Sequence, residues 1–191
     1  MKALQTLPDH YKEIDSVNLQ KDKKKALLVN GFSLLIAVVM IILMHFYMPI
    51  TMLFDMQQGL GAYLIRFVVF MISIVLYMVL HELVHGIAMK ICGTKKVKYG
   101  FTGLYAFAGS DDYYDKQSYI IIALAPVVVF GIILAITNLF VSPEWFWVVY
   151  FIQIINISGA AGDAYITIKF SKLPKGILIK DSGVEMKVYS K

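Results

Sequence analysis

Charge is scarce in this 191-residue sequence: Asp, Glu, Lys and Arg together make up 16% of it, against 59% hydrophobic residues. So few charges cannot cover the surface of a water-soluble domain of this size. Cysteine is nearly absent. The one thiol, Cys92, cannot form an intrachain disulfide or a cysteine-rich metal site, and a packed thiol is its expected role. There is no internal repeat of the kind that builds solenoids, and no low-complexity tract.

What fills the sequence instead is four long apolar runs, at roughly 26–48, 60–90, 117–140 and 145–169. A membrane-crossing helix needs about 20 such residues. The first and third runs contain no Asp, Glu, Lys or Arg at all. The expected fold class is an all-α polytopic membrane protein with four transmembrane helices. The first run follows a Lys-rich flank but is too long for the apolar core of a signal peptide, and no small-residue cleavage site precedes "HFYMPI"; a retained helix is expected.

Basic residues set the orientation. Of 18 Lys and Arg, six precede the first run, five lie between the second and third, and six lie from Lys169 onward. Arg66, inside the second run, is expected to snorkel to the outer interface. The connections "PITMLFDMQQG" and "VSPE" carry none. By the positive-inside rule both termini and the middle loop are cytoplasmic, and the two short connections face outward. The net charge of +5 reflects this flanking pattern, so nucleic acid is not an expected partner. The expected organisation is a cytosolic N-terminal segment (1–25), partly helical at the interface, a four-helix membrane domain (26–170) and a cytosolic tail (171–191).

Two short β elements interrupt the helical pattern. In "KVKYGFTGLYAFAG", residues 96–109, aromatic and apolar side chains alternate with period two around a "TG" turn, and Leu104 continues the alternation. This predicts a short hairpin between helices 2 and 3. Its edge would align an unwound peptide by strand addition, or the hairpin would serve as an interfacial aromatic anchor. The tail "KLPKGILIKDSGVEMKVYSK" places "GILIK" and "VEMKVY" around a "DSG" turn, and reads as a C-terminal β-hairpin or an irregular tail.

Within "YMVLHELVHGIAMK" the second run carries His81, Glu82 and His85. Ionisable groups are costly in a bilayer and point to a functional site. On a helix the histidines share one face, one turn apart, which lets two imidazoles bind one Zn²⁺ with Glu82 beside it as general base. A third ligand is needed. His45 falls near the outward end of the first run, at the wrong depth. His85 is about 7 Å from the boundary marked by Lys90, and Asp163 about 9 Å from Lys169, at 1.5 Å per residue. The depths match, so Asp163 is the expected third ligand, with a cytosol-exposed helix-end carboxylate as the plainer alternative. Asp111, Asp112 and Asp115 are rivals on the same side, in a stretch that reads as a solvated loop and helix start. "SGAAG" at 158–162 favours close helix approach. Asn156, two turns before Asp163, suits either interhelical hydrogen bonding or contact with a substrate carbonyl or oxyanion. Pro126 in "ALAPVVVF" is expected to kink the third helix, and the carbonyl it frees to help line a polar cavity.

Through "HELVHG", "ALAP" and "NISGAAGD", over residues 26 to about 170, the sequence resembles the site-2 protease group of membrane-embedded zinc metalloproteases. More specifically, it resembles small bacterial membrane proteins of unknown function classed as putative zincin peptidases. The resemblance implies His81, His85 and Asp163 as zinc ligands and Glu82 as the catalytic residue. The group's later motif has an Asn, prolines and Leu-Asp-Gly; here the prolines are absent and Gly162 precedes the Asp. The expected activity is that of a zinc metalloendopeptidase acting on a membrane protein or peptide in the lipid bilayer. A non-catalytic metal-binding scaffold or chaperone, and a metal or proton transporter, are the competing readings.

Overall fold

The computed structural model describes residues 3–103 and 105–191. Leu104, part of the expected alternation, and residues 1–2 of the expected N-terminal segment lie outside the described residues. Most of the chain is helical, and four helices are long and apolar enough to cross a membrane. These are α1 (Lys23–His45), α2 (Leu60–Ile91), α3 (Lys116–Phe140) and the pair α4 (Pro143–Gly159) and α5 (Ala161–Ser171). The last run is thus broken at Ala160, which the apolar pattern alone does not mark.

Helix starts follow local chemistry. Asp22 precedes α1, accepts the Lys25 backbone N–H at 3.1 Å and pairs with Lys25 Nζ at 2.6 Å. Asp115 does the same for α3, accepting the N–H groups of Gln117 and Ser118 at 3.1 and 3.2 Å and the Ser118 hydroxyl at 2.7 Å. Pro143 opens α4 at a position whose N–H needs no helical partner. Along α1 the side chains are apolar, yet Val29 is the one buried residue. A helix apolar round its circumference, with Ala37, Met40, Ile41 and Met44 packed on protein and its other faces exposed, is suited to lipid on those faces.

The chain forms two compact units. One comprises the chain up to Val29, Leu80–Pro126 and Gly162–Lys191. Its four-stranded antiparallel sheet has the order β1-β6-β5-β4, from β1 (Lys12–Val17), β4 (Tyr113–Asp115), β5 (Leu178–Asp181) and β6 (Met186–Ser190). A separate two-stranded sheet joins β2 (Lys98–Phe101) to β3 (Ala106–Gly109). Its core gathers Val17, Met89, Tyr114, Tyr119, Ile122, Phe170, Ile179 and Val188. Among the described residues of the segment expected to be partly an interfacial helix, 12–17 are instead a strand that pairs with β6, from Lys12 with Ser190 to Val17 with Met186, and helix begins at Lys23. A charged strand with Val17 as its buried residue carries too weak a period-two signal to be read from sequence. The "DSG" hairpin is present as β5–β6, and Gly183 takes the positive φ of 86° that its turn requires.

The other unit comprises Asn30–Val79 and Val127–Ala161. Its core is aromatic, with Phe146, Trp147 and Tyr150 packed against Met40, Met44 and a 3₁₀ turn at Ile50–Phe54. The Trp147 indole donates to the Pro49 carbonyl at 3.1 Å and the Tyr150 hydroxyl to the Met40 carbonyl at 3.3 Å.

Candidate metal centre

α2 carries His81 and His85 one turn apart, with ring centroids separated by 4.9 Å and planes at 75°. Asp163 comes from the first turn of α5. Because the helix ends at Gly159 and restarts after Ala160, Asp163 sits where unpaired N–H groups and the helix dipole favour a carboxylate. Asp163 Oδ2 lies 3.8 Å from His81 Nε2 and 3.9 Å from His85 Nε2. One ligand atom from each residue falls within 4.8 Å of the others. The structure therefore brings together the histidine pair that helical spacing selected and the aspartate that depth arithmetic selected.

The donor set suits zinc. Two imidazole nitrogens and one carboxylate oxygen are ordinary zinc ligands, with bonds of about 2.0–2.2 Å. Tetrahedral ligands on such bonds stand ~3.3–3.5 Å apart, so separations of 3.8 and 3.9 Å need only small side-chain rotations. Three protein ligands leave a fourth position open, as catalytic rather than structural zinc sites do.

Next to the ligands, His85 Nδ1 lies 2.9 Å from the Ile122 carbonyl oxygen. Ile122 is four residues before Pro126, which sits inside α3. Proline has no N–H, so the Ile122 carbonyl lacks its i→i−4 helical donor. His85 Nδ1–H donates to it instead. That bond fixes the tautomer and leaves the Nε2 lone pair facing Asp163. Sequence reading placed a proline-freed carbonyl near a polar cavity; the structure identifies the oxygen and its donor.

Glu82 adjoins His81 on α2 and is half-buried. The backbone N–H of Ala108, on β3, faces its carboxylate. Ala108 is the cross-strand partner of Tyr99 on β2. The Tyr99 hydroxyl lies against Gly86, one turn beyond Glu82, where a Cβ would collide with it. A single rung of the hairpin thus packs on the Glu82–Gly86 face of α2. The C-terminal hairpin supports that rung from behind. Phe107 fills the space over Gly183, Gly109 abuts the Ser182 backbone, and Ser110 N–H donates to the Asp181 carbonyl at 2.7 Å. Nothing in the sequence marks Ala108 as a neighbour of Glu82, because a backbone group carries no residue signature.

Asp181 is a further buried carboxyl. Its oxygens accept the Tyr119 hydroxyl at 2.8 Å and the Gly183 N–H at 2.7 Å. Burial pushes it up to about 6, against those two bonds and with the Asp163 charge adding to the rise.

The other candidates lie elsewhere. Asn156 is fully buried in the second unit, accepting the Tyr77 hydroxyl at 2.9 Å and donating to the Val127 carbonyl at 3.1 Å. Asp111 pairs with Lys98 at 2.6 Å, Asp115 caps α3, and Asp112 N–H bonds the Ser110 hydroxyl at 3.2 Å. His45 Nδ1 accepts the Ile50 N–H at 3.1 Å. Of the "SGAAG" glycines, a Cβ at Gly162 would meet Leu19 at an ordinary 3.8 Å and one at Gly159 would meet open space, so close packing there rests on buried Ala160 and Ala161.

Comparison with known proteins gives a consistent answer. The sequence profile of a family described as putative zincin peptidase matches residues 74–178. That stretch includes both histidines, Glu82, Pro126 and Asp163. An uncharacterized 24.7 kDa protein of Pyrococcus woesei is 26% identical over 121 residues, covering 61% of this chain and 52% of its own length. The match thus spans about half of that relative. No solved structure matches.

Proposed function

The chain belongs to the putative zincin peptidase family, and on that footing we propose that it is a membrane-embedded zinc metalloendopeptidase. Its substrate is a membrane protein segment or a peptide that reaches the site from the cytosolic face. The observation that carries this reading is the convergence of His81, His85 and Asp163 within 4.8 Å, with Glu82 on the adjacent position of α2.

His81, His85 and Asp163 would hold the ion. Zinc there supplies a Lewis acid for the scissile carbonyl and lowers the pKa of water towards ~7. Glu82 takes the proton from the attacking water and returns it to the leaving amine. The Ala108 N–H faces the Glu82 carboxylate from the hairpin. The Ile122 carbonyl holds the His85 ring in the ligating tautomer.

The β2–β3 hairpin gives the substrate a place to lie. A peptide bond inside a helix has its carbonyl engaged and its faces covered, so cleavage requires local extension. β2 and β3 form a two-stranded sheet. An extended segment adding to its edge would run past Glu82, which the same hairpin touches. Lys and Arg cluster at the termini and in the middle loop, which supports a cytosolic opening in a bacterial cell membrane.

The test is hydrolysis of an unfolded membrane-protein fragment by purified protein in detergent with zinc. Wild type should cleave, and Glu82→Gln should lose at least about 10²-fold in rate while retaining zinc. Equal cleavage by Glu82→Gln would remove the proposed base. Absence of cleavage by wild type that binds zinc stoichiometrically would favour a metal-binding scaffold.

A further inference from the structure

Arg66 has no part in the metal centre, and its surroundings are unusual for a cation. It is 5% exposed, on the second turn of α2. Its Nη2 donates to the Asp55 carbonyl, but Nε and Nη1 are buried with no hydrogen-bond partner. Leaving donors of a buried guanidinium unanswered is costly, more so near hydrocarbon. The group lines a cavity of about 240 Å³ in the second unit. Tyr63, Phe67 and Phe70, on the same stripe of α2, make its walls apolar, and Phe54 covers it from the 3₁₀ turn. Glu144 also borders it, and accepts a hydrogen bond from Gln58 Nε2 at 3.1 Å. Arg66 is expected from sequence to snorkel to the outer interface; its guanidinium reaches the Asp55 carbonyl in the 50–58 connection and is buried there.

Depth says what could answer those donors. The 32 residues of α2 extend about 48 Å at 1.5 Å per residue, and the hydrocarbon core is about 30 Å thick. Centred in a bilayer, the helix would protrude about 9 Å on each side. Arg66 is six residues, about 9 Å, from the helix start. That places its backbone at the edge of the hydrocarbon, level with the glycerol backbone, with the lipid phosphates a few ångströms further out and within reach of the long side chain. A cavity holding two unbonded guanidinium N–H groups at the hydrocarbon edge, with the Glu144 carboxylate near enough to feel the Arg66 charge and aromatic walls reaching towards the hydrocarbon, matches the two ends of one amphiphile.

We propose that this cavity is a phospholipid site, with the headgroup phosphate accepting from Arg66 and an acyl chain lying along Phe67 and Phe70. Glu144 at the border complements a headgroup amine, so phosphatidylethanolamine is the probe of choice. The shared chemistry is a phosphate oxyanion, whose other source is free phosphate.

Delipidated full-length protein in non-ionic detergent is titrated with dioleoyl phosphatidylethanolamine, or with dioleoylglycerol, which has the same chains and no phosphate. Adducts are counted by native mass spectrometry. The expected result is a single phosphatidylethanolamine adduct at least 10-fold tighter than dioleoylglycerol, and Arg66→Gln binding both lipids equally. Lys175→Gln, which removes the same charge outside the cavity, should bind as wild type. Arg66→Lys keeps the charge and guards against misfolding of the glutamine variant. It should fold and bind at least 3-fold more weakly, because a single ammonium replaces the guanidinium fork. Equal binding of the two lipids by wild type, or undiminished phosphatidylethanolamine binding in the Arg66 variants, overturns the site. Displacement of the lipid by millimolar inorganic phosphate makes it a free-anion site and overturns the lipid assignment.

Discussion

Pro126→Ala separates the role of one carbonyl from the stability of the helix around it. Proline inside a helix costs ~3 kcal/mol relative to alanine, so the substitution should stabilise α3 and raise the melting temperature. It also restores an N–H at position 126, which will bond the Ile122 carbonyl in the normal helical pattern. His85 Nδ1, now 2.9 Å from that oxygen, must then share its acceptor or lose it. One hydrogen bond is worth ~0.5–1.5 kcal/mol net, or about a 2- to 10-fold loss of zinc affinity if the ring becomes free to turn. Removal of outer partners of ligating histidines typically costs 10–100-fold. A carbonyl has two lone pairs and can accept twice, so a loss near 10-fold is expected. The assay is competition for zinc between the purified protein and a chromophoric chelator, beside a thermal melt. Higher melting temperature with weaker zinc binding supports the reasoning. Unchanged zinc affinity in a stabilised variant would refute it, since the carbonyl would then have no hold on the ligand.

Other expectations follow from the same geometry. Gly86→Ala puts a Cβ into the Tyr99 ring, and should destabilise the protein by ~1–3 kcal/mol. Tyr99→Ala should relieve most of that in the double variant, measured by thermal or denaturant unfolding, and strict additivity would contradict the contact. Asp181, raised from its ordinary value to about 6, binds a proton in the folded state that the unfolded chain has already released. Its contribution is present below about pH 4 and is lost as pH rises through about 6, a change of up to ~3 kcal/mol. In metal-free protein Asp181→Asn should flatten that part of the stability–pH profile, and an unaltered profile would show that another group is responsible.

The membrane helices were legible because lipid imposes length and apolarity so strictly that four runs could be bounded to within a few residues. His81 and His85 were legible for a related reason: charge is so rare in those runs that any cluster stands out. Asp163 followed from counting turns to the nearest Lys. Less visible was whatever depends on backbone groups or polar strands. The break at Ala160, which puts Asp163 into the first turn of α5, falls between small residues that signal only close packing. β4, within "GSDDYYDKQ", hides in a stretch whose aspartates suggest solvent, although Tyr114 on it is wholly buried, with Ser110 and Thr94 bonded to its hydroxyl at 2.6 and 2.5 Å. β1 joins β6 across 169 or more residues of sequence, from Val17 to Met186, and long-range pairing of a charged edge strand has no local signature. Arg66 was visible as an anomaly, but its burial beneath residues 50–58 was not.

Zinc content of the purified protein, compared among wild type, His81→Ala, His85→Ala and Asp163→Ala, tests the central claim most directly. One zinc per chain in wild type and its loss in all three variants is the expected result. Full retention of zinc in Asp163→Ala would contradict it, and would transfer the third ligand to another carboxylate.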